Sequence, residues 1–160
     1  MVLSSFAIKE LLESKRLVID PLETGQIQPA SVDLKISDEI MVPKGRGYET
    51  VKKNEILLPP KTHVLVRTEE HVELPNDVGG IVKLRSSLSR IGVMLNNAGW
   101  IDPGFKGTLT LSVFNPNDSP LEIKRGTRFF QLVLLRLDRE SEGYSGKYLG
   151  QKGVTGNKGV

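Results

Sequence analysis

Hydrophobic and polar residues alternate along several short stretches of the chain, as they do in half-buried β-strands. The alternation is clearest over residues 31–36, 62–67 and 108–113. Clusters of Pro, Gly and Asn, which favour turns, separate these stretches. Many short strands at this spacing predict a β-sandwich, jelly roll or barrel rather than an alternating βαβ fold.

Near the N-terminus the apolar residues have a different spacing. Phe6, Leu11 and Leu12 form a partial stripe at helical intervals, and Ser5 stands at the position of an N-cap. We therefore expect one short helix over residues 5–16, with strands after it.

The composition changes over residues 141–160. This segment contains six glycines and few large aliphatic residues, and such segments are usually frayed termini because they bury too little apolar surface to order themselves. It also contains polar and aromatic side chains that could close over a ligand: Tyr144, Lys147, Tyr148 and Gln151. We therefore predict a barrel domain over residues 1–140 and a flexible C-terminal lid over residues 141–160.

The chain has 160 residues, which favours one domain with a hydrophobic core. It has no cysteine, so disulfides and thiolate metal ligands are excluded. With only His63 and His71 to supply imidazole, it cannot build the His/Cys zinc site of the zinc-dependent nucleobase deaminases. Since neither histidine has an evident carboxylate partner, we expect both to be surface or strand residues rather than catalysts.

The formal net charge of +3 suits a polyphosphate ligand without requiring one. No run of five basic residues and no basic–aromatic alternation points to a nucleic-acid polymer. No stretch approaches the ~20 apolar residues of a membrane span, and the N-terminus lacks the features of a signal peptide. We therefore expect a cytoplasmic protein that binds neither nucleic acid nor membrane.

Two segments carry groups suited to a phosphorylated ligand. In LRSSLSR, the hydroxyls of Ser86 and Ser87 stand between the guanidinium groups of Arg85 and Arg90, a combination that can bind phosphate oxygens. In AGWIDPGFKG, residues 98–107, a hairpin turn would present one carboxylate and one aromatic ring. Either string alone is more often a solvated turn.

Two further segments complete a set, QPASVDL at residues 28–34 and RFFQL at residues 128–132. In this order and spacing, and together with YSGKYLGQKGVT in the tail, the segments resemble the dCTP deaminase/dUTPase family. The resemblance covers most of the chain and is nearest to the deaminase-like branch, which includes bifunctional and dUTPase-only archaeal members. It implies an all-β fold, a distorted jelly-roll β-barrel (β-clip) with a short N-terminal helix, assembled as a homotrimer with active sites between subunits.

The resemblance also implies roles for individual residues. Asp102 matches the aspartate that activates water in dUTPases and binds the sugar hydroxyl. Ser86 matches the serine that contacts the phosphates and, in deaminases, helps to hold the attacking water. Arg90 matches the arginine near the reacting base, and Arg85 matches the other arginine of that motif. Asp33, in QPASVDL, is expected to orient the fold or a water rather than to react.

Phe105 occupies the aromatic position under the deoxyribose, where a 2′-hydroxyl would have no room. Backbone atoms at Ala98 would read the base edge, and Trp100 stands beside them, either as a packing residue or at the base. The remaining matches are side chains expected to bind the substrate or cover its triphosphate: Ser87, Gln131, Tyr144, Lys147 and Gln151.

One position departs from the deaminase pattern. Deaminases of this family carry a glutamate ten residues after the hairpin aspartate, and here that position is Ser112. A carboxylate can transfer protons near neutral pH, whereas a serine hydroxyl cannot, and loss of such a group typically costs about 10²–10⁴ in rate. No substitute carboxylate, such as Glu122 or Glu140, can be placed beside it from sequence.

Hydrolysis at the α-phosphate requires fewer catalytic groups than deamination. It needs a positioned water, Asp102 as the base, and cations that offset the charge of the triphosphate. Mg²⁺ held mainly by the phosphates would serve, so no dedicated metal-ligand cluster is required. The sequence therefore favours a dUTP diphosphatase acting on a deoxypyrimidine triphosphate. The alternatives are a dCTP deaminase or bifunctional enzyme, a catalytically inactive nucleotide-binding protein and, less well supported, a nucleic-acid-binding β-barrel.

Overall fold

The structure is a computed structural model that describes residues 1–96 and 98–159. Its N-terminal helix, α1, spans Ser5–Glu13, and a second, short helix, α2, spans Ser86–Arg90. The strands follow one another along the chain as β1 Val18–Asp20, β2 Ile27–Gln28, β3 Ser31–Lys44, β4 Gly47–Lys52, β5 Glu55–Leu58, β6 Thr62–Glu73, β7 Val78–Leu84, β8 Met94–Leu95, β9 Trp100–Ile101, β10 Lys106–Asn115, β11 Leu121–Lys124 and β12 Arg128–Arg136. The predicted all-β class is confirmed.

The three stretches of clearest alternation lie within the long strands β3, β6 and β10, as predicted. The N-terminal helix is also confirmed, but it ends three residues earlier than predicted, and the side chain of Ser4, not Ser5, accepts the capping bond from the Ala7 amide. Its apolar face is also different. Ile8 and Leu11 are buried, whereas Phe6 is largely exposed, so Phe6 does not belong to the core-facing stripe.

Ten strands of the described chain form one sheet, whose main path runs β8-β10-β6-β3-β12-β7-β9, and all of its pairings are antiparallel. The strands at the two ends of this path are neighbours in sequence, since β8 ends at Leu95 and β9 begins at Trp100. That connection spans at most about 18 Å. The ends of the sheet are therefore held near each other, and the sheet curls into a barrel-like shape.

The core fills the inside of this curled sheet. Phe129 and Phe130 at its centre are fully buried and contact each other with ring centroids 4.7 Å apart. The small second sheet, β5 paired with β11, adds the buried side chains of Ile56 and Leu58 to the same cluster. Neither helix described in residues 1–96 and 98–159 has the length and apolar character needed to cross a bilayer.

The C-terminal segment lies along β10 of its own chain. The Thr108 amide donates to the Gln151 carbonyl over 3.0 Å, and the Gln151 side-chain amide donates to the Thr108 carbonyl over 2.6 Å. Farther on, the Thr155 amide donates to the Thr110 hydroxyl over 3.0 Å. Residues 141–159 therefore have defined contacts, while the expected mobility of this segment stays a prediction.

Candidate active site

A tight turn joins β9 to β10 and sets the geometry of the hairpin. Pro103 and Gly104 occupy its two central positions, and the Phe105 amide donates to the Asp102 carbonyl over 3.2 Å. Gly104 has a φ of +78°, so proline followed by a residue with positive φ makes this a type II turn. The turn places the side chains of Asp102 and Phe105 at its two ends.

A cavity of about 690 Å³ opens beside this turn, between the hairpin, strand β6 and the C-terminal segment. Ser112 and half of the twelve predicted site residues line it, the latter being Ala98, Trp100, Asp102, Phe105, Tyr144 and Gln151. This volume lies within the usual range for small-molecule sites. The structure thus brings the hairpin residues together with Tyr144 and Gln151 of the tail in one cavity.

The carboxylate of Asp102 is exposed at the rim of this cavity. Its Oδ1 accepts a 2.8 Å hydrogen bond from the indole N–H of Trp100. Among the described residues it forms no salt bridge, so no cation neutralises it. Asp102 is therefore available to a water molecule or a ligand hydroxyl.

Phe105 is buried beneath the cavity. Its ring packs against the ring of Tyr144 from the C-terminal segment, with centroids 5.9 Å apart, and the Tyr144 amide donates to the Pro103 carbonyl over 2.8 Å. The C-terminal segment is thus attached to the turn that carries Asp102. A ligand in the cavity would meet an aromatic floor made from both parts of the chain.

Ser112 lies on β10 and has a side-chain partner. The amide of Asn96 donates to the Ser112 hydroxyl over 2.7 Å, and the Asn96 backbone donates to the Ser112 carbonyl over 3.0 Å. Leu109, Leu111 and Val113 are buried while Ser112 is half-buried, so the predicted alternation holds along this part of the strand. A register shift against β6 lies between Thr108 and Thr110, upstream of Ser112.

The residues predicted to bind phosphate form a second cluster, at the start of α2. Ser86, Ser87 and Arg90 are exposed there, and Leu88 between them is buried and fixes the helix to the core. The Arg85 amide precedes the helix and donates to the Phe129 carbonyl over 3.1 Å. The exposed hydroxyls and guanidinium groups therefore lie on a helical turn that Leu88 and the Arg85 backbone hold against the core.

A buried carboxylate lies behind this second cluster. Asp33 is fully buried, with Nε of Arg85 3.3 Å and Nη1 of Arg128 3.9 Å from its Oδ2, and it pairs in register with Gln131 on β12. Neither carboxylate oxygen has a hydrogen-bond partner within residues 1–96 and 98–159. Burial raises the pKa of Asp33, and the two arginines oppose that rise. Asp33 thus holds two cations beside Gln131.

The two clusters are separate within one chain. None of the predicted phosphate-binding residues Arg85, Ser86, Ser87, Arg90 and Gln131 lines the hairpin cavity. Lys147, expected over the phosphates, also lies outside the cavity lining, and its ammonium group instead donates to the Gly159 carbonyl. The proposed roles of these residues stay predictions.

Sequence reasoning did not single out several residues that the structure places at the cavity. Tyr48 and His63 line it, and their hydroxyl and Nδ1 atoms lie 3.2 Å apart. His63 stands opposite Phe114 on β10, two positions along from the pairing of Leu65 with Ser112. Tyr48 lies on β4 and His63 on β6, and contacts between strands so far apart in the chain leave no local signal in the sequence.

His71 has a structural partner, as a strand residue. Its Nε2 lies 3.0 Å from the carboxylate of Glu73, and the ammonium group of Lys106 lies 2.9 Å from the same carboxylate. The hydrogen bonds from Lys106 and then His71 hold the pKa of Glu73 below its usual value. This pair of contacts joins the beginning of β10 to β6. Its role is to stabilise the hairpin and not to take part in catalysis.

A metal ion would have to take most of its ligands from a substrate. In the described ranges 1–96 and 98–159, no group of three or more His, Asp or Glu side chains could hold one. Among the described residues that line the cavity, Asp102 is the one carboxylate. This fits Mg²⁺, which commonly keeps several waters and binds through substrate phosphates with few carboxylates.

Known proteins match this chain over most of its length. The family model described as dCTP deaminase-like matches residues 2–137. A "dCTP deaminase, dUMP-forming" from Aquifex aeolicus (strain VF5) is 44% identical, over 96% of this chain and 92% of its own. A "dCTP deaminase" from Pyrococcus horikoshii is 41% identical, over 85% of this chain and 86% of its own.

A solved structure has a similar fold. The crystal structure of a 2′-deoxycytidine 5′-triphosphate deaminase from Agrobacterium tumefaciens matches with a TM-score of 0.69 at 24% identity, covering 82% of this chain and 47% of that one. This likeness concerns the fold and confirms the predicted jelly roll. The residues matched by the family model and the identity to its relatives show that the chain belongs to the dCTP deaminase-like family, as its motifs predict.

Proposed function

We propose that this protein hydrolyses dUTP to dUMP and pyrophosphate, with water activated by Asp102. The observation that carries the proposal is the contrast between two positions of one hairpin. Asp102 presents an exposed carboxylate without a cationic partner in the described chain, whereas Ser112 presents a hydroxyl that already accepts a hydrogen bond from Asn96. Hydrolysis needs the first group, and deamination would need a group that transfers protons, which the second is not.

In the proposed reaction the oxygen of a water attacks the α-phosphorus. Asp102 takes a proton from this water, the bond from the α-phosphorus to the oxygen bridging to the β-phosphate breaks, and pyrophosphate leaves with that oxygen. Phe105 lies under the sugar and excludes a 2′-hydroxyl, while backbone atoms near Ala98 read the base. The cavity positions the nucleotide so that the water and the α-phosphorus meet, and such positioning is a large part of phosphoryl-transfer catalysis.

Mg²⁺ is the proposed cofactor. When bound to the triphosphate it would reduce the negative charge that opposes attack and departure. The cationic and hydroxyl groups of Arg85, Ser86, Ser87 and Arg90 would add to this effect as charge-assisted donors to the phosphate oxygens.

The phosphate-binding cluster lies outside the hairpin cavity of its own chain. We therefore propose that the hairpin of one subunit and the α2 segment of another build each site, in a homotrimer. Gln131, beside Asp33 and its two arginines, would belong to the subunit that supplies α2.

A second candidate function is supported by the relatives. The relative from Aquifex aeolicus is named a dUMP-forming dCTP deaminase and is 44% identical, so this chain could also deaminate dCTP on the way to dUMP. Proton transfer would then need a group other than Ser112. Among the described residues that line the cavity, His63 is an imidazole on the neighbouring strand, and imidazole can transfer protons at neutral pH.

The test of the proposed function is product analysis with Mg²⁺ and dUTP, for the wild type and for Asp102→Asn. We expect dUMP and pyrophosphate from the wild type, and a loss of turnover of about 10²–10⁴ in the variant, because its amide cannot accept the proton of the water. Since Asp102 is exposed, the variant should unfold at the same temperature as the wild type. Turnover of dUTP by Asp102→Asn at the wild-type rate would refute the assignment.

A further inference from the structure

We infer that Trp100 is a positioning residue for the carboxylate of Asp102. The indole N–H of Trp100 donates to Oδ1 of Asp102 over 2.8 Å. Within residues 1–96 and 98–159, the carboxylate makes this one hydrogen bond. Oδ1 is thereby fixed, and Oδ2 is left to meet a water. The inference rests on the proposed role of Asp102 and adds a second residue to it.

The indole itself is held in place by its packing. Trp100 pairs in register with Ile81 of β7, and its ring lies over Gly79 of the same strand. A Cβ built on Gly79 would come within 2.8 and 2.9 Å of two ring carbons, which is closer than real Cβ contacts. The ring therefore rests against bare backbone, and a residue with a side chain at position 79 would displace it.

This packing matters because Trp100 is half-exposed and would otherwise have freedom to rotate. A carboxylate on a turn can adopt several rotamers, and a group fixed in one of them loses less freedom when the reaction begins. Trp100 thus acts on the reaction through Asp102.

The chain offers a direct readout, since Trp100 is its only tryptophan. Its emission should depend on the carboxylate that accepts its N–H. We therefore propose to compare the tryptophan emission at neutral pH, without nucleotide, of the wild type and of Asp102→Asn, which keeps the shape of the side chain and removes its charge.

Two variants test the kinetic consequence. Trp100→Phe keeps an aromatic ring over Gly79 and removes the donor. Gly79→Ala keeps the indole and pushes it from its place. Gly79 lies outside the left-handed region, so alanine adopts its backbone conformation without strain. Thr62→Val is the matched control, because it removes a side-chain hydrogen bond, to the Pro60 carbonyl, at a residue that does not line the cavity.

We expect kcat for dUTP to fall about 10- to 100-fold in Trp100→Phe, the range for loss of a hydrogen bond to a charged group. KM should stay within about threefold, since Ala98, Phe105 and the α2 residues supply the proposed binding contacts. Gly79→Ala should likewise lower kcat with little change in KM, and Thr62→Val should change neither quantity.

The tryptophan emission spectrum of Asp102→Asn should differ from that of the wild type. Wild-type kcat in a folded Trp100→Phe would overturn the inference, and so would an unchanged emission spectrum in Asp102→Asn. If Asp102→Asn hydrolyses dUTP normally, the proposed function fails, whereas the emission result still shows whether Trp100 senses Asp102. The two failures are therefore distinguishable.

Discussion

At the scale of single residues, the chemistry of the site depends on what two side chains of one hairpin can do with a proton. Asp102 and Ser112 stand ten positions apart, and both line the same cavity. A carboxylate accepts a proton near neutral pH, and an alcohol does not. The hydrogen bond from Asn96 further fixes the Ser112 hydroxyl as an acceptor. These two positions are the basis of the proposed hydrolysis of dUTP.

Sugar discrimination is a prediction at the same scale. Phe105 is buried under the cavity and packs on Tyr144, so a 2′-hydroxyl would meet the ring. We expect UTP to be a poor substrate of the wild type. Phe105→Leu replaces the ring by a smaller apolar side chain. It should reduce the ratio of kcat/KM for dUTP to kcat/KM for UTP by about tenfold, as the loss of a small apolar contact can.

The matched control for this experiment is Phe114→Leu. Phe114 lies on the same strand, opposite His63 and away from the turn, so this variant should keep the wild-type ratio of dUTP to UTP. Equal kcat/KM values for the two nucleotides in the wild type would show that Phe105 does not select the sugar.

At the scale of elements, the contact between the C-terminal segment and β10 couples the tail to the cavity. Gly107 has a φ of +146°, and a Cβ there would lie 2.8 Å from the Gln151 carbonyl, so the close approach of the two backbones depends on this glycine. Gln151 and Thr155 anchor the segment on Thr108 and Thr110. A segment held in this way can cover a ligand without a helix or strand of its own.

The tail prediction follows from these contacts. Truncation after Glu140 should leave a folded protein, because the core cluster lies within residues 3–134 apart from the ring of Tyr144. It should lower kcat/KM for dUTP about 10²-fold, since the bound nucleotide would lose its cover and its orientation. Steady-state kinetics and circular dichroism check the two parts of this expectation.

Truncation after Asn157 is the control, because it keeps the contacts of Gln151 and Thr155 with β10. It should behave as the wild type. If removal of residues 141–160 left kcat/KM unchanged, the segment would be an ordinary terminus and not a lid.

The elements themselves show how far sequence reasoning reaches. Strands β6 and β10 were predictable because burial on one face imposes alternation. β3 shows the same alternation of residue types although residues 31–38 are all buried, so its polar residues point into the protein and not to solvent. The turn at Asp102 was predictable because Pro103 and Gly104 have restricted backbone preferences. The bond between Trp100 and Asp102 and the approach of His63 to the cavity depend on pairings between distant segments. Local patterns do not encode such pairings.

At the scale of the whole molecule, the separation of the two clusters has a consequence for assembly. If Asp102 and Ser86 act from different subunits, Asp102→Asn and Ser86→Ala should each be inactive alone. When the two variants are co-assembled in equal amounts, about a quarter of the sites should contain both intact residues. We therefore expect recovery of about a quarter of wild-type dUTP hydrolysis.

A mixture that combines Asp102→Asn with Trp100→Phe is the control for the mixing experiment. Both substitutions lie on the same hairpin. Every subunit in this mixture carries one of them, so no mixed assembly contains an intact hairpin. Activity should then not exceed that of Trp100→Phe subunits alone. Failure of the Asp102→Asn and Ser86→Ala mixture to recover any activity would place both residues of a site in one chain.

Hydrolysis of dUTP without deamination of dCTP is tested most directly by one incubation of the wild type with Mg²⁺ and equal concentrations of dUTP and dCTP. Pyrophosphate, dUMP and ammonia are measured together in this incubation. We predict pyrophosphate and dUMP formed at the expense of dUTP, with dCTP unchanged and no ammonia, because Ser112 cannot transfer the protons that deamination requires. The same incubation of Ser112→Glu shows whether the rest of a deaminase site surrounds that position. Release of ammonia from dCTP by the wild type, at a rate comparable with pyrophosphate release, would contradict the account.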